Sequence, residues 1–223
     1  MDTKKVEQVT TDDGCHSLYV PSLDEHYHST HGAFNEAMHV FIQHGFRATT
    51  GAISILEVGF GTGLNAWLTC LEAETAKRAV NYVGLETYPL PNDVTNKLNY
   101  TNFSDQENAQ QTFQDIHQVG WETPQKISKD FELTKTETSL HEIDFEAQFD
   151  VIYFDAFGPR KQPDMWTVPV FEKMYKALKK DGFLVTYCAQ GQVKRNMKSA
   201  GFVIENLPGP PGKREMTKGI KKV

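Results

Sequence analysis

Three carboxylates and one glycine-rich turn carry most of the chemistry legible in this chain. The carboxylates are Glu57, Glu86 and Asp155, each at the end of an apolar run, and the turn is Glu57-Val-Gly59-Phe60-Gly61-Thr-Gly63-Leu64-Asn65. Glycines between a strand and a helix let the backbone approach a ligand closely. The spacing is GxGxG, not the GxGxxG of dinucleotide-binding turns, and an acidic residue stands two positions before the first glycine. A carboxylate there repels a pyrophosphate. It suits a ligand without phosphates and with a cationic end, which describes the amino-acid portion of S-adenosylmethionine (SAM). A tight turn that uses glycine for structure alone is the other reading.

Glu86 closes a strand–helix–strand unit in Val83-Gly-Leu-Glu86, about 30 residues after the glycine turn. An acidic side chain at that point accepts both hydroxyls of a ribose, or else is a solvated strand-end carboxylate. Asp155 follows the run Phe149-Asp-Val-Ile-Tyr-Phe154 and opens Asp155-Ala-Phe157-Gly-Pro159. Open α/β sheets place their reactive groups at such strand ends. Alkylation of an amine needs a neutral lone pair in line with the methyl group. Asp155 is therefore expected to orient the amine and take its proton, with Phe157 walling in or stacking on the target. A plain cap for the following turn is the structural alternative for Asp155.

Pro159, Arg160 and Lys161 begin a loop, Arg160-Lys-Gln-Pro-Asp164-Met-Trp166, that is expected to form one wall of a substrate mouth, with Trp166 packed as core. A late loop, Leu207-Pro-Gly-Pro-Pro-Gly212-Lys213-Arg214, offers adjacent cations for phosphates, or a hairpin turn with exposed side chains. His26, His28 and His31 lie close together without a zinc-binding spacing, and no metal is expected. Cys15, Cys70 and Cys188 form no CxxC pair and read as reduced, packed thiols.

The elements that must position these groups alternate between apolar strands and amphipathic helices, an α/β pattern. Residues 33–44 predict a helix, stopped by Gly45. Strands are predicted at Ile53–Val58, Val80–Leu85, Phe131–Thr134, Phe149–Phe154, Phe183–Cys188 and Phe202–Asn206. Helices are predicted from Leu64 to about Lys77, in two pieces between Asn92 and Gly120 with Phe113 and Trp121 as anchors, at Val168–Lys179 with a stop at Asp181-Gly182, and at Gln192–Ala200. The opening residues, MDTKKVEQVTTDDG, read as a strand or a frayed arm.

At 223 residues, with 39% hydrophobic and 23% charged, the chain suits one globular domain: residues 1–50 as a strand and helix segment packed on a core of 51–223. No apolar run approaches the ~20 residues of a membrane span and no secretory signal opens the chain, so a cytoplasmic protein is expected. Net charge is −6, but residues 158–223 carry 14 Lys and Arg against 5 Asp and Glu. That asymmetry predicts a basic face able to meet phosphates.

Taken together, EVGFGTGLN, GLE, DAFGPRKQPDMW and PGPPGKREM resemble the tRNA 5-aminomethyl-uridine methyltransferases, which form one half of the bifunctional MnmC-type enzymes. The opening segment TDDGCHSLYVPSLDEHYHSTHGAFNEAMHVF is similar to that family's as well. The resemblance implies a class I SAM-dependent, Rossmann-like fold: a seven-stranded, mostly parallel sheet with helices on both faces and an antiparallel last strand. It implies methylation of 5-aminomethyl-2-thiouridine at the wobble position of tRNA. Glu57, Gly59, Phe60, Gly61, Gly63, Leu64 and Asn65 would line the methionine end of SAM, Glu86 the ribose, and Glu137 the adenine. Asp155 and Phe157 would face the amine and the flipped base. The bifunctional relatives carry a flavin-dependent oxidase domain for which 223 residues leave no room, so methylation alone is expected, with any oxidase as a separate partner. Rival readings are aminopropyl transfer from decarboxylated SAM, a dehydrogenase, which the GxGxG spacing disfavours, and a non-catalytic SAM- or RNA-binding module.

Overall fold

The computed structural model describes residues 5–222. Strands β1 (Glu7–Thr10), β2 (His16–Val20) and β3 (Glu25–His26) form a small antiparallel sheet. The strand expected in the opening residues is thus β1, while Met1–Lys4 lie outside the described residues. Helix α1 (Ala33–Ala37) widens into a π-helical segment, Met38–Gln43, so the segment expected as one α-helix changes its winding half-way.

The main sheet is built from β4 (Ile53–Val58), β5 (Val80–Glu86), β6 (Gln125–Ser128), β7 (Phe131–Glu137), β8 (Phe149–Phe154), β9 (Leu178–Thr186), β10 (Val203–Pro208) and β11 (Glu215–Ile220). Its order is β10-β11-β9-β8-β4-β5-β7-β6. The five central strands run parallel, and β11 inserts antiparallel between β9 and β10. The eighth strand, beyond the seven expected, is β6, which folds back antiparallel on β7 through a turn at Lys129-Asp130. β4 and β8 are buried along almost their whole length, as continuous apolar runs covered by helices on both faces must be.

Helices α2 (Leu64–Ala76) and α4 (Ala109–Gln118) cover one face together with the π-helical segment, and α5 (Val168–Ala177) and α6 (Gly191–Ser199) cover the other. α2 is buried nearly all round because α1, the π-helix and α4 pack over its outer side, and Trp67 Nε1 donates to the Ala109 carbonyl at 2.9 Å. Cys15, Leu18, Ala33 and Phe41 share a core with Ile55 and Trp67. A short helix α3 (Asn92–Thr95) and a 3-10 turn at Tyr100–Phe103 link β5 to α4. Phe113 is buried as expected; Trp121 is half-buried and lies 5.0 Å from the Nζ of Lys135.

The segment after α5 departs from expectation. The helix stops at Ala177, and Leu178 already pairs with Phe149 of β8. Lys179–Gly182 then form a bulge before Phe183 pairs with Val151, so Asp181, at φ 60°, turns inside a strand and not at a helix end. Lys179 anchors the bulge through an ion pair with Asp150 at 2.9 Å.

Candidate active site

β5, β4 and β8 end side by side, where chain order reverses across the sheet, and a crevice opens there. It lies between the glycine turn, Glu86, the segment 138–140 and Asp155. Gly59 stands at φ 87°, and a Cβ on it would lie 2.7 Å from the carbonyl oxygen of Asp155, so the first glycine lets β4 and β8 close against each other. The backbone N–H of Gly61 donates to Glu86 Oε2 at 2.9 Å, and that of Tyr88 donates to Oε1 at 2.9 Å. These bonds pin the glycine turn to the end of β5. Burial pushes the Glu86 carboxyl up, and the backbone donors pull it down.

Asn65, in the first turn of α2, joins two acids. Its Nδ2 donates to Glu57 Oε1 at 2.9 Å and to Asp155 Oδ2 at 2.8 Å. Glu57 shares the face of β4 that α2 covers, is 0% exposed, and has no partner for Oε2. Burial holds it well above the usual carboxylate range. Asp155, facing the crevice, is raised to about 7 by burial first and then by the charge of Glu36, against the Asn65 hydrogen bond and the charge of Lys213. A carboxyl poised there takes and gives a proton near neutral pH.

A second cavity adjoins the first, and Tyr27, His28, Ala156 and Phe157 line both. The rings of Tyr27 and Phe157 meet edge to face at 5.0 Å. Trp166, buried as expected, holds this loop by donating from Nε1 to the Phe157 carbonyl at 2.9 Å, and the Tyr187 hydroxyl donates to the Ala156 carbonyl at 2.8 Å. His28 is pushed down to about 4 by burial and pairs with the Ser17 hydroxyl at 3.0 Å. Glu36 and Lys213 form an ion pair on the far wall.

Residues 99–222 match the model of a family described as S-adenosyl-L-methionine-dependent methyltransferase. The chain belongs to this family. Its donor is SAM, and the family match does not favour the dehydrogenase, aminopropyl-transfer or non-catalytic readings. The methyltransferase is similar to two curated proteins named "tRNA 5-methylaminomethyl-2-thiouridine biosynthesis bifunctional protein MnmC". The one from Hydrogenovibrio crunogenus is 30% identical over 88% of this chain and 31% of its own length; the one from Chromobacterium violaceum is 31% identical over 86% and 31%. The chain thus spans about a third of the length of these relatives. Its fold matches the crystal structure of MNMC2 from Aquifex aeolicus with a TM-score of 0.78 at 21% identity, over 96% of this chain and 69% of the other. The sheet, with its antiparallel β11, is that of a class I methyltransferase.

Within this methyltransferase the crevice gathers Gly59, Phe60, Gly61, Leu64, Asn65, Glu86, Asp155 and Phe157. Other expected site residues lie elsewhere. Glu57 sits behind Asn65 and not on the wall, because its strand position points it under α2. Gly63 faces the His117 ring, with a Cβ contact of 3.0 Å, on the side away from the crevice. Glu137, at the end of β7, is exposed, and its backbone N–H donates to Glu122 Oε1 at 2.7 Å; the chain turns after it, so Thr138 and Leu140 reach the crevice instead. Pro159, Arg160 and Lys161 line neither cavity: Arg160 is exposed and Lys161 pairs with Asp24 at 3.3 Å. Gln162 and Met165 of the same loop supply the wall. Lys213 points inward to Glu36, whereas Arg214 is 93% exposed, so only the second cation of the expected phosphate pair is free to meet solvent. Tyr27, His28, Glu36 and Tyr187 carried no local motif. Their only legible signal was the likeness of the opening segment and, for Tyr187, its place at the end of a strand.

No helix among the described residues is long and apolar enough to cross a membrane. Cys15, Cys70 and Cys188 are buried free thiols.

Proposed function

We propose that the chain methylates the primary amine of 5-aminomethyl-2-thiouridine at the wobble position of tRNA, giving the 5-methylamino derivative. The observation that carries this reading is Asp155, poised near pH 7 where the crevice of the glycine turn meets a second cavity walled by aromatic rings. The names of the curated relatives support the tRNA acceptor.

The crevice fits SAM. The glycine turn and Glu86 line it together, and Glu86 keeps lone pairs on both oxygens for a ribose diol. In this reading the Gly59–Asn65 turn faces the methionine end, Glu86 the ribose, and Thr138 and Leu140 take the adenine end that the family resemblance implied for Glu137. Bound SAM supplies an electrophilic methyl group on a sulfonium. The protein's part is to hold the amine in line and remove its proton. Phe157 and Tyr27 clamp the base, and Asp155 Oδ accepts a proton from the ammonium, leaving a neutral nitrogen lone pair. Asn65 holds the Asp155 carboxyl in place through the reaction.

We assign phosphate contacts to the exposed cations Arg160, Lys198 and Arg214, the last of which also lies 3.5 Å from the Glu215 carboxylate. We further read residues 1–50 as part of one structural domain with 51–223 and place the protein in the cytoplasm. The decisive experiment incubates the protein with SAM and tRNA bearing 5-aminomethyl-2-thiouridine and examines the digested nucleosides by mass spectrometry. Gain of one methyl at that nucleoside is expected. An unchanged nucleoside from protein that binds SAM overturns the acceptor assignment.

A further inference from the structure

The second cavity already holds a primary ammonium: the Nζ of Lys213 rests against Glu36 Oε2 and lies 4.1 Å from the centre of the Tyr187 ring. Glu36 is 7% exposed, comes from α1, and is held from behind by the Ser29 N–H on its other oxygen at 3.3 Å. We propose that Glu36 and the face of Tyr187 form the seat for the acceptor's ammonium group, and that Lys213 is a resident placeholder which the acceptor displaces. The inference rests on the amine-methylating reading above and names the residues that select its substrate.

Three observations carry it. A carboxylate beside an aromatic face is a site for an ammonium ion, through charge and through cation–π attraction. The charges leave room for a second cation: Glu25 and Glu36 line this cavity against Lys213 alone, with Asp155 at the junction next to it. Lys213 is also free to leave. Its side chain is 30% exposed against 10% for Glu36, and the turn that carries it is closed by backbone bonds, Gly209 N–H to the Arg214 carbonyl at 3.2 Å and Lys213 N–H to the Pro210 carbonyl at 2.9 Å, with its flanks held by His39 and Lys194 independently of Lys213. Phe157 and Tyr27 flank the seat, so the preferred ligand is an ammonium on a methylene attached to a flat ring. Once seated there, the group lies one step from Asp155: its N–H bond breaks, the proton passes to the Asp155 carboxylate, and the pair of electrons stays on nitrogen.

The test titrates the full chain, saturated with S-adenosylhomocysteine, with benzylammonium as probe and benzyl alcohol as its uncharged control. Lys213→Met should tighten benzylammonium binding about tenfold by removing the competitor, and Glu36→Gln should weaken it at least tenfold, with benzyl alcohol indifferent to both. A purely structural ion pair predicts the same sign for both variants; that result, or equal binding of the alcohol, overturns the proposal. Should Glu36→Gln fail to fold, the wild-type comparison with Lys213→Met decides alone. Opposite signs in a protein that leaves the tRNA unmethylated would uphold the seat and reject the tRNA acceptor. Where methylation occurs, its pH profile gives an independent readout. Asp155 is faced by Glu57 on β4, Tyr82 on β5, Asn65 on α2, Glu36 on α1, Tyr187 after β9 and Lys213 in the β10–β11 turn. Glu36→Gln should move the midpoint to lower pH and Lys213→Met to higher pH; no shift in either overturns the proposal.

Discussion

The two cavities on either side of Asp155 are built in opposite ways. The donor crevice is made largely by the ends of adjacent parallel strands and the turns that follow them, with backbone groups doing most of the holding: a glycine at positive φ, two N–H groups on Glu86, a β4–β8 contact too close for a side chain. The acceptor cavity is assembled from segments far apart in the chain, residues 25–30, Glu36, 156–158, Tyr187 and Lys213, and is held by side chains, chiefly one ion pair and a set of rings. Backbone-built sites keep their shape whatever occupies them, whereas a side-chain-built site can exchange one cation for another. On the function proposed above, the crevice that would take the cofactor has the first design and the cavity that would take the acceptor has the second.

The largest expected effect falls at the junction of the two. Asp155→Asn removes the proton acceptor while keeping a polar neighbour for Asn65, and should lower the rate of methyl transfer roughly 10²–10⁴-fold with SAM affinity within a few-fold of wild type, read by single-turnover kinetics and calorimetry. Wild-type activity should rise with pH through about 7, as Asp155 loses its proton, and the variant should lose that step. The same shift sets a stability expectation. The folded-state value, about 7, lies above the ordinary 3.8, so the contribution to stability is full below about pH 4 and is lost as pH rises through 7. Asp155→Asn should therefore stabilise the ligand-free protein at pH 8, by about 2 kcal/mol in a denaturant titration. A variant that loses both activity and SAM binding would place Asp155 in the donor crevice alone and erase the distinction.

This contrast also explains what the sequence made legible. The strands ending at Val58 and Phe154 read directly from apolar runs, because burial on both faces demands them, the strand read as Val80–Leu85 runs one residue further to Glu86, and Gly59, Glu86 and Asp155 follow from position at strand ends. Glu36 lies in an unremarkable helical stretch and Lys213 in a proline-rich turn, and nothing in either segment announces the other; only the fold brings α1 against the β10–β11 turn. Lys213 read as a phosphate ligand for the same reason. Its neighbour Arg214 has the same local signal and points the opposite way. The bulge in β9 was hidden because Lys179–Gly182 ends with the Asp-Gly pair that closes helices and opens turns alike. Glu137 shares the strand face of Lys135 but stands exposed at the very end of β7, and the chain turns only after it, so Thr138 and Leu140 are the residues that line the crevice.

On the donor side, the backbone design is tested by Gly59→Ala. The methyl group would meet the Asp155 carbonyl at 2.7 Å, on a residue whose φ of 87° disfavours any side chain. A loss of about 2–4 kcal/mol of stability is expected from strain and overpacking together, with SAM affinity reduced in step. Thermal melts with and without SAM read both. A variant of wild-type stability would show that β4 and β8 have slack at this point and that the crevice is not rigid.

The smallest effect, and the sharpest question about the donor side, belongs to Glu57→Gln. An acid two residues before the first glycine reads from sequence as a charge presented to the cationic end of the cofactor. In the fold it is 0% exposed beneath Asn65, and burial favours its neutral form. An amide of the same shape replaces a neutral acid at little cost, so stability at pH 7 should change by no more than about 1 kcal/mol and SAM affinity by no more than a few-fold. Gln also keeps an oxygen to accept from Asn65 Nδ2, which leaves the bridge to Asp155 standing. Calorimetry with SAM decides. If a folded Glu57→Gln protein loses most of its SAM affinity, the charge of Glu57 is felt through Asn65, and the donor crevice too depends on a side-chain ion network. If affinity holds, recognition of the methionine end rests on the glycine turn, and the acid serves to fix Asn65 against Asp155.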